Sequence, residues 1–408
     1  MPSTFTWLDH SEKQRRTVME VLTLFKDKST VDELGIGTIR DTIADILFPG
    51  TGAPQTRARY LLFVPWMYLQ LEADRVSSGE VARRGRLEEA RLIDVLLQQD
   101  KMDGVIGRLA RGGLQRMPSS IYWGALRTFR IYRGDQSRDG YHAGLDGDYK
   151  RWARRARTDD GEHLDGSGGP NWDRGLPAVP KGFPGGADLV LTHAEAEYLR
   201  DRIVTSSPRT VFAHIVRATA PDESADFPWT HPRYAEFPGH LQSQLTHAQN
   251  LSEAMHGAAL LYNLALAEKK GSGEHIEDYR LRLADWSLAV RQREAQLRSW
   301  SRQEFWAFVG STGSRITDPT RQFVERWLHL AIDDGAAERL VDSAVARDLI
   351  ANRERLVKGK LARVDNKAAL DRYAGEAGTG RLVYRWPNAH RIARDILEAL
   401  SENAHAQS

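Results

Sequence analysis

Apolar side chains in this 408-residue chain recur at three- and four-residue spacing, and its N-terminal third shows no sustained two-residue alternation. That pattern predicts a mainly α fold, because alternation over several residues is what a half-buried strand requires. Val18, Val21, Leu22 and Phe25 mark a first helix from Glu12 onward, and Ile39, Ile43, Ile46 and Leu47 a second, ended by Phe48-Pro49-Gly50. A third is expected over 55–74, kinked or split by Pro65, a fourth from near Ser78 with Leu87, Ala90, Ile93, Leu96 and Leu97 on one face, and another from Pro118 through Arg130.

Residues 134–186 break the pattern. Runs such as Asp165-Gly-Ser-Gly-Gly-Pro170 and Lys181-Gly-Phe-Pro-Gly-Gly186 offer too little apolar surface for a core, so this stretch reads as a Gly/Pro-rich loop or linker. Helices resume at Thr192, which with Glu195 makes a capping-box signature. Beyond the prolines at 221, 228, 232 and 238, Leu241, Leu245, Ala248, Met255, Ala259, Tyr262 and Leu266 mark the buried face of a long helix. Further helices are expected over 277–300, 319–332, 336–357 and 387–400, with a short strand at 381–386. The expected architecture is thus two helical domains, 1–133 and 187–408, joined by the 134–186 loop.

Several chemistries are excluded. The chain has no cysteine, which removes disulfides, thiolate zinc sites and cysteine nucleophiles together. It holds no Gly-Lys-Ser/Thr phosphate loop, no Gly-x-Ser-x-Gly elbow and no His-Glu-x-x-His helix. Gly35-Ile-Gly37 lacks a third glycine and a preceding strand, and reads as a turn between helices. Three weaker hints remain. Glu253-Ala-Met-His256 has the spacing of di-iron helices, but its only companion, Glu402-Asn-Ala-His405, lies in the C-terminal tail. His193 and Glu197 stand one helical turn apart, yet the capping box already explains that segment. Asp148-Tyr149-Lys150 is the tail half of a nuclease-like acidic-x-Lys motif, here in a glycine-rich stretch. No catalytic residue, metal or cofactor is therefore expected. The most apolar run, 58–71, contains Pro65 and is too short to span a bilayer, and no signal-peptide h-region opens the chain, so the expected compartment is the cytoplasm.

The overall charge is nearly balanced, with 57 basic and 55 acidic side chains, but its distribution is uneven. Residues 105–133 carry Arg108, Arg111, Arg116, Arg127, Arg130 and Arg133 without a single acid, interleaved with Tyr122, Trp123, Phe129 and Tyr132. Helix, glycine turn and helix over 105–130 suit a helix-turn-helix-like unit whose arginines meet phosphates. The same residues also suit a protein-partner surface or a solvated face, with Tyr122 and Trp123 in the core. A second basic stretch, Arg353 to Lys367, reads as a helix end whose cations complement the C-terminal dipole.

Several blocks resemble a known family. They are Phe5-Thr-Trp7-Leu-Asp9, Asp32-Glu-Leu-Gly-Ile-Gly-Thr-Ile-Arg-Asp41, Leu47-Phe-Pro-Gly-Thr51, Gln55-Thr-Arg-Ala-Arg-Tyr-Leu-Leu-Phe-Val-Pro-Trp66, Pro118-Ser-Ser-Ile-Tyr-Trp123 and Leu382-Val-Tyr-Arg-Trp-Pro387. Together they look like the signature of a bacterial domain-of-unknown-function family, number 6361. The resemblance implies a place in phage-defence loci that also encode helicase and phospholipase-D-like nuclease chains, and it supplies no catalytic residues. Within these blocks Arg57 and Arg59, with Arg40 and Asp41, either form buried ion pairs that fix the first helices or present phosphate-binding groups at a helix N-terminus. The sequence as a whole points to a non-catalytic DNA-associating or adaptor subunit acting with a separate helicase or nuclease. The alternatives are an interaction scaffold that never touches nucleic acid and a divergent metal-dependent nuclease.

Overall fold

The computed structural model describes residues 32–99, 102–108, 114–158, 170–333 and 337–406. The expected helix from Glu12, the side chain of His405, Arg111 and the run 165–169 lie outside these described residues. The regular structure of the described residues is helical, and their only β-type pairing is an isolated bridge between Tyr132 and Trp172. In chain order the helices are α1 (Gly37–Leu47), α2 (Tyr60–Ala73), α3 (Val81–Leu96), α4 (Pro118–Thr128), α5 (Arg138–Thr158), α6 (His193–Ser206) and α7 (Val211–Ile215). They continue with α8 (Gly239–Lys270), α9 (Gly273–Gln292), α10 (Glu294–Arg298), α11 (Arg302–Gly310), α12 (Asp318–Leu328), α13 (Ala344–Lys358), α14 (Lys367–Asp371) and α15 (Trp386–Ala406). No described helix is long and apolar enough to cross a membrane.

The chain divides into two compact units, and neither is continuous in sequence. One comprises Met1–Ile43 and Gln244–Val383, the other Ala44–Ser243 and Tyr384–Ser408. The boundaries of these units fall at positions other than 133 and 187. Among the described residues of 134–186 is the 21-residue α5, so part of the expected loop is helical. The glycines at 140, 144 and 147 hid a helical stripe: Tyr141, Leu145 and Asp148 are buried at four- and three-residue spacing.

In the second unit, α2 is the central element. Nearly every side chain from Tyr60 to Leu71 is buried, so packing on all sides carries the helix through Pro65, which neither ends nor splits it. Helices α3 and α4 pack against α2, α5 against α4, and α15 against α6 and α7. An aromatic cluster of Tyr68, Trp123, Tyr132, Tyr141 and Trp172 fills the space between α2, α4 and α5, with ring centroids 4.8–6.1 Å apart. Helix α6 begins with the capping box expected of Thr192 and Glu195. The expected strand at 381–386 does not form. Tyr384 and Arg385 adopt positive φ (51° and 64°), which a strand cannot accommodate, and α15 starts at Trp386.

In the first unit, α8 supplies the core with Leu245, Leu251, Met255, Leu260, Leu261 and Leu266. Trp286 of α9 packs against Gly257 of α8, where a Cβ would sit 2.3 Å from the indole ring, and donates to the Glu253 carbonyl at 2.7 Å. The signature block at 32–41 is built into this unit as a clamp. Asp32 accepts from the Ile36 and Gly37 amides at 2.7 Å, capping α1. Arg353 of α13, 6% exposed, donates to the Leu34 and Gly35 carbonyls at 2.8 Å each. Gly35 has φ +65°, and a Cβ there would stand 2.7 Å from Val357 and 2.8 Å from the Arg353 guanidinium. A glycine is therefore required for contact as well as for backbone conformation.

Candidate nucleic-acid interface

Helix α4 sorts the basic segment into an inner and an outer face. Pro118 opens it, and the buried Glu89 of α3 accepts from the Ser119 amide at 2.5 Å. Tyr122, Trp123, Ala125 and Leu126 then turn inward, which leaves Arg127 exposed, and Arg130 and Arg133 follow on the surface. Burial pushes the Glu89 carboxyl up to about 7. A folded-state value above the unfolded one means stability is fully present below the ordinary carboxylate range and is lost as pH rises through about 7. The fold is expected to weaken by up to about 3 kcal/mol between acid and mildly alkaline pH. Thermal melts of the wild type and Glu89→Gln over that range check this, since the variant should show a flatter profile.

The six arginines do not behave alike. Arg108 is half-buried and engaged within the fold, and Arg116, Arg127 and Arg133 are exposed with no ion pair among the described residues. Arg130 has φ +56°, rare for a side chain of this size, and meets Asp135 at 3.3 Å with both partners largely in water (61% and 88% exposed). The interleaved rings are not available for stacking: Tyr122, Trp123, Phe129 and Tyr132 are each 5% exposed or less. The helix-turn-helix-like unit expected over 105–130 includes residues 109–113, which lie outside the described residues. Its described part before α4 has no helix, because Gly104 and Gly107 turn the chain with φ above +80°.

Between α4 and the C-terminal half of α6 lies an open cleft of about 660 Å³ lined by Arg127, Arg130, Asp135, Arg202, Thr205 and Ser206 among others. Arg202 is fixed in place: Nε donates to the Phe129 carbonyl and Nη1 to Asp173, both at 3.1 Å. That first bond also satisfies a terminal carbonyl of α4, so the negative end of this helix is partly masked where the cleft opens. Sequence reasoning missed Arg202, since it stands 69 positions beyond Arg133 on a different helix.

The signature arginines lie elsewhere and face inward. Arg57 Nε donates to both oxygens of Asp395 on α15 at 2.9 Å, and the Ala58 amide adds a third contact at 2.8 Å. Arg57 also reaches the Asp103 carbonyl at 3.1 Å. Burial pushes the Asp395 carboxyl above its usual range despite this pairing. Arg59 divides its nitrogens between Asp188 at 2.6 Å and Glu195 at 2.9 Å and covers the Phe63 ring. Arg40 and its sequence neighbour Asp41 approach to 3.1 Å. These guanidinium groups are occupied by carboxylates, whereas Arg127 and Arg133 have no ion pair among the described residues.

The weaker hints resolve individually. Asp148 is a buried residue of α5, not part of a loop, and is engaged by Arg151 and, at 3.2 Å, by Asn171. Glu253 is held by Gln249, Arg293 and Arg381, and burial lowers His256 to about 4, which keeps it neutral. His193 and Glu197 lie 3.5 Å apart on α6. Among the described residues no group of three or more His, Asp or Glu side chains is arranged to hold a metal ion. In the second basic stretch Arg353, Lys358 and Arg363 are bound within their unit and Arg355 pairs with Asp365.

Neither the curated proteins nor the solved structures include a match to this chain. A single family model covers residues 2–400, nearly all of the sequence, and the protein belongs to that family of unknown function, DUF6361.

Proposed function

We propose that this protein is a non-catalytic DNA-associating subunit that grips the phosphate backbone through Arg116, Arg127, Arg130 and Arg133 of the Ala44–Ser243 unit. One observation carries the reading: Arg116, Arg127 and Arg133 are exposed with no ion pair among the described residues, and Arg130 meets only the exposed Asp135, at 3.3 Å. A solvated guanidinium in that state can exchange water for phosphate at little cost in desolvation. With the neighbouring rings buried, contact is limited to phosphates, so binding is insensitive to sequence. The family resemblance supports a setting in bacterial defence, with a separate helicase or nuclease chain performing the chemistry.

The test is titration of the purified chain with duplex DNA at several salt concentrations. Four neutralised phosphates predict a log–log slope of about −3.6. Binding that ignores salt, or no binding at the lowest salt used, overturns the proposal and leaves the interaction scaffold as the reading; metal-dependent cleavage by the chain alone would instead support a nuclease.

A further inference from the structure

The irregular segment between α7 and α8 is held in place by a row of histidine and aromatic rings. We propose that residues 221–238 form an acid-released strap: protonation of His214, His231 and His390 together frees the segment from α7 and α15 and bares the aromatic surface it covers. All of these residues belong to the unit formed by Ala44–Ser243 and Tyr384–Ser408. The inference is independent of DNA association.

Five rings make the row. His214 of α7 meets Phe237 at 4.6 Å between centroids, Phe237 meets His231 at 5.2 Å, His231 meets Trp386 at 6.0 Å, and Trp386 meets His390 of α15 at 4.8 Å. Phe237 and His231 belong to the strap, and the other three rings to the two helices. Trp386 adds a second tie by donating to the Ala225 carbonyl at 2.7 Å. The His231 side chain, at the centre, has no exposed surface. Its Nδ1 accepts from the Arg233 amide at 3.2 Å, so the neutral ring carries its proton on Nε2, which faces Asp222 at 3.3 Å without hydrogen-bond alignment. Charging the ring puts a second proton on Nδ1, and the Arg233 N–H must then move away. The imidazolium therefore forms only as the strap lifts.

The charged surroundings do not absorb the added protons. His231 is faced by Asp222 and Arg233 of the strap, by His214 and by His390. Arg217, Arg233, Glu236 and His240 surround His214, while Arg391, Arg394 and Asp222 surround His390. Asp222, the acid shared by His231 and His390, is already bound by Arg233 at 2.7 Å, and Arg391 and Arg394 are paired with Asp103 and Glu398. Burial holds all three imidazoles below their ordinary range, and His231 lies in the field of the other two, so in the closed strap one protonation opposes the next. A closed-state value below the free one means that the stabilisation is complete above about 6.5 and is lost as pH falls below it. Among the described residues no three His, Asp or Glu side chains converge as a metal site, which leaves the proton as the titrant.

Hydrogen exchange of the full chain, followed by mass spectrometry and corrected for the intrinsic rate at each pH, reads the opening directly. One imidazole that must charge on release adds at most a factor of about thirty between about pH 6.5 and about pH 5. The amides of Thr230, Tyr234 and Phe237 bond within the strap. Peptides containing them should lose protection at least about a hundredfold from about pH 7.5 to about pH 5, more than a single imidazole supplies, while peptides of α2 change by less than about threefold. H214F and H390F keep a ring at either end of the row without a titrating nitrogen. Each should match the wild type at about pH 7.5 and reduce the loss in acid about tenfold. A wild-type loss of about thirtyfold or less overturns the coupled strap, as does an undiminished loss in both variants. Parallel loss in α2 overturns it too, because the whole unit is then unfolding in acid. Should a variant fail to fold at neutral pH, the wild-type contrast between the strap and α2 still decides the matter.

Discussion

Asp395→Ala should lower the stability of the Ala44–Ser243 unit by about 3–5 kcal/mol, because it strands a buried cation. The Arg57 side chain is 15% exposed and that of Asp395 only 3%, and both oxygens of the carboxylate lie 2.9 Å from Arg57 Nε. Removal of the carboxylate also orphans the Ala58 amide. Arg57→Ala on its own should cost a comparable amount, since Asp395 is then buried without its cation. The double variant should lose less than the sum of the two, with a coupling of about 1–3 kcal/mol. Chemical denaturation of the four proteins measures this. Strict additivity would show that the pair makes no mutual contribution, and would reopen a phosphate-binding role for Arg57.

The second large effect belongs to the other unit. Glu354 has no exposed surface and accepts from the Tyr262 hydroxyl at 2.5 Å, Lys358 at 2.8 Å, and the Arg363 and Val364 amides at 3.0 Å each. Lys358 and Arg363 share a further acceptor, Glu33 of the signature block. Burial alone would raise the Glu354 carboxyl, but Lys358, Tyr262 and the two amides together hold it below the usual range. Its stabilisation is therefore present at neutral pH and lost in acid, as pH falls through the folded-state value. Glu354→Ala leaves two cations on one carboxylate and two amides unbonded, and should cost about 3–5 kcal/mol at neutral pH. A loss below about 1 kcal/mol, measured by denaturation at pH 7, would show that solvent replaces the missing groups and that the network is not a structural lock.

These two clusters show what could be read from the sequence and what could not. The helical class was legible wherever an apolar stripe was long, as from Leu241 to Leu266, or where a cap was spelled out, as at Thr192 and Glu195. Helix α5 was not, because its glycines and aspartates dilute the stripe formed by Tyr141, Leu145 and Asp148. The units were hidden for a different reason. Each is assembled from segments far apart in the chain, and composition registers only neighbours. The same holds for the site. Exposure of Arg127 and Arg133 follows from the apolar face of α4, whereas Arg202 and the carboxylates that occupy Arg57 and Arg59 are brought in from other helices.

That separation between occupied and available arginines is the centre of the account, and the salt dependence of DNA binding by R127A/R133A tests it most directly. Neither residue has an internal ion pair among the described residues, so the double variant should melt with the wild type. Its affinity should nevertheless fall, and its log–log slope against salt should become shallower by about 1.8, the loss of two phosphate contacts. An unchanged affinity and slope in a folded R127A/R133A protein would contradict the account.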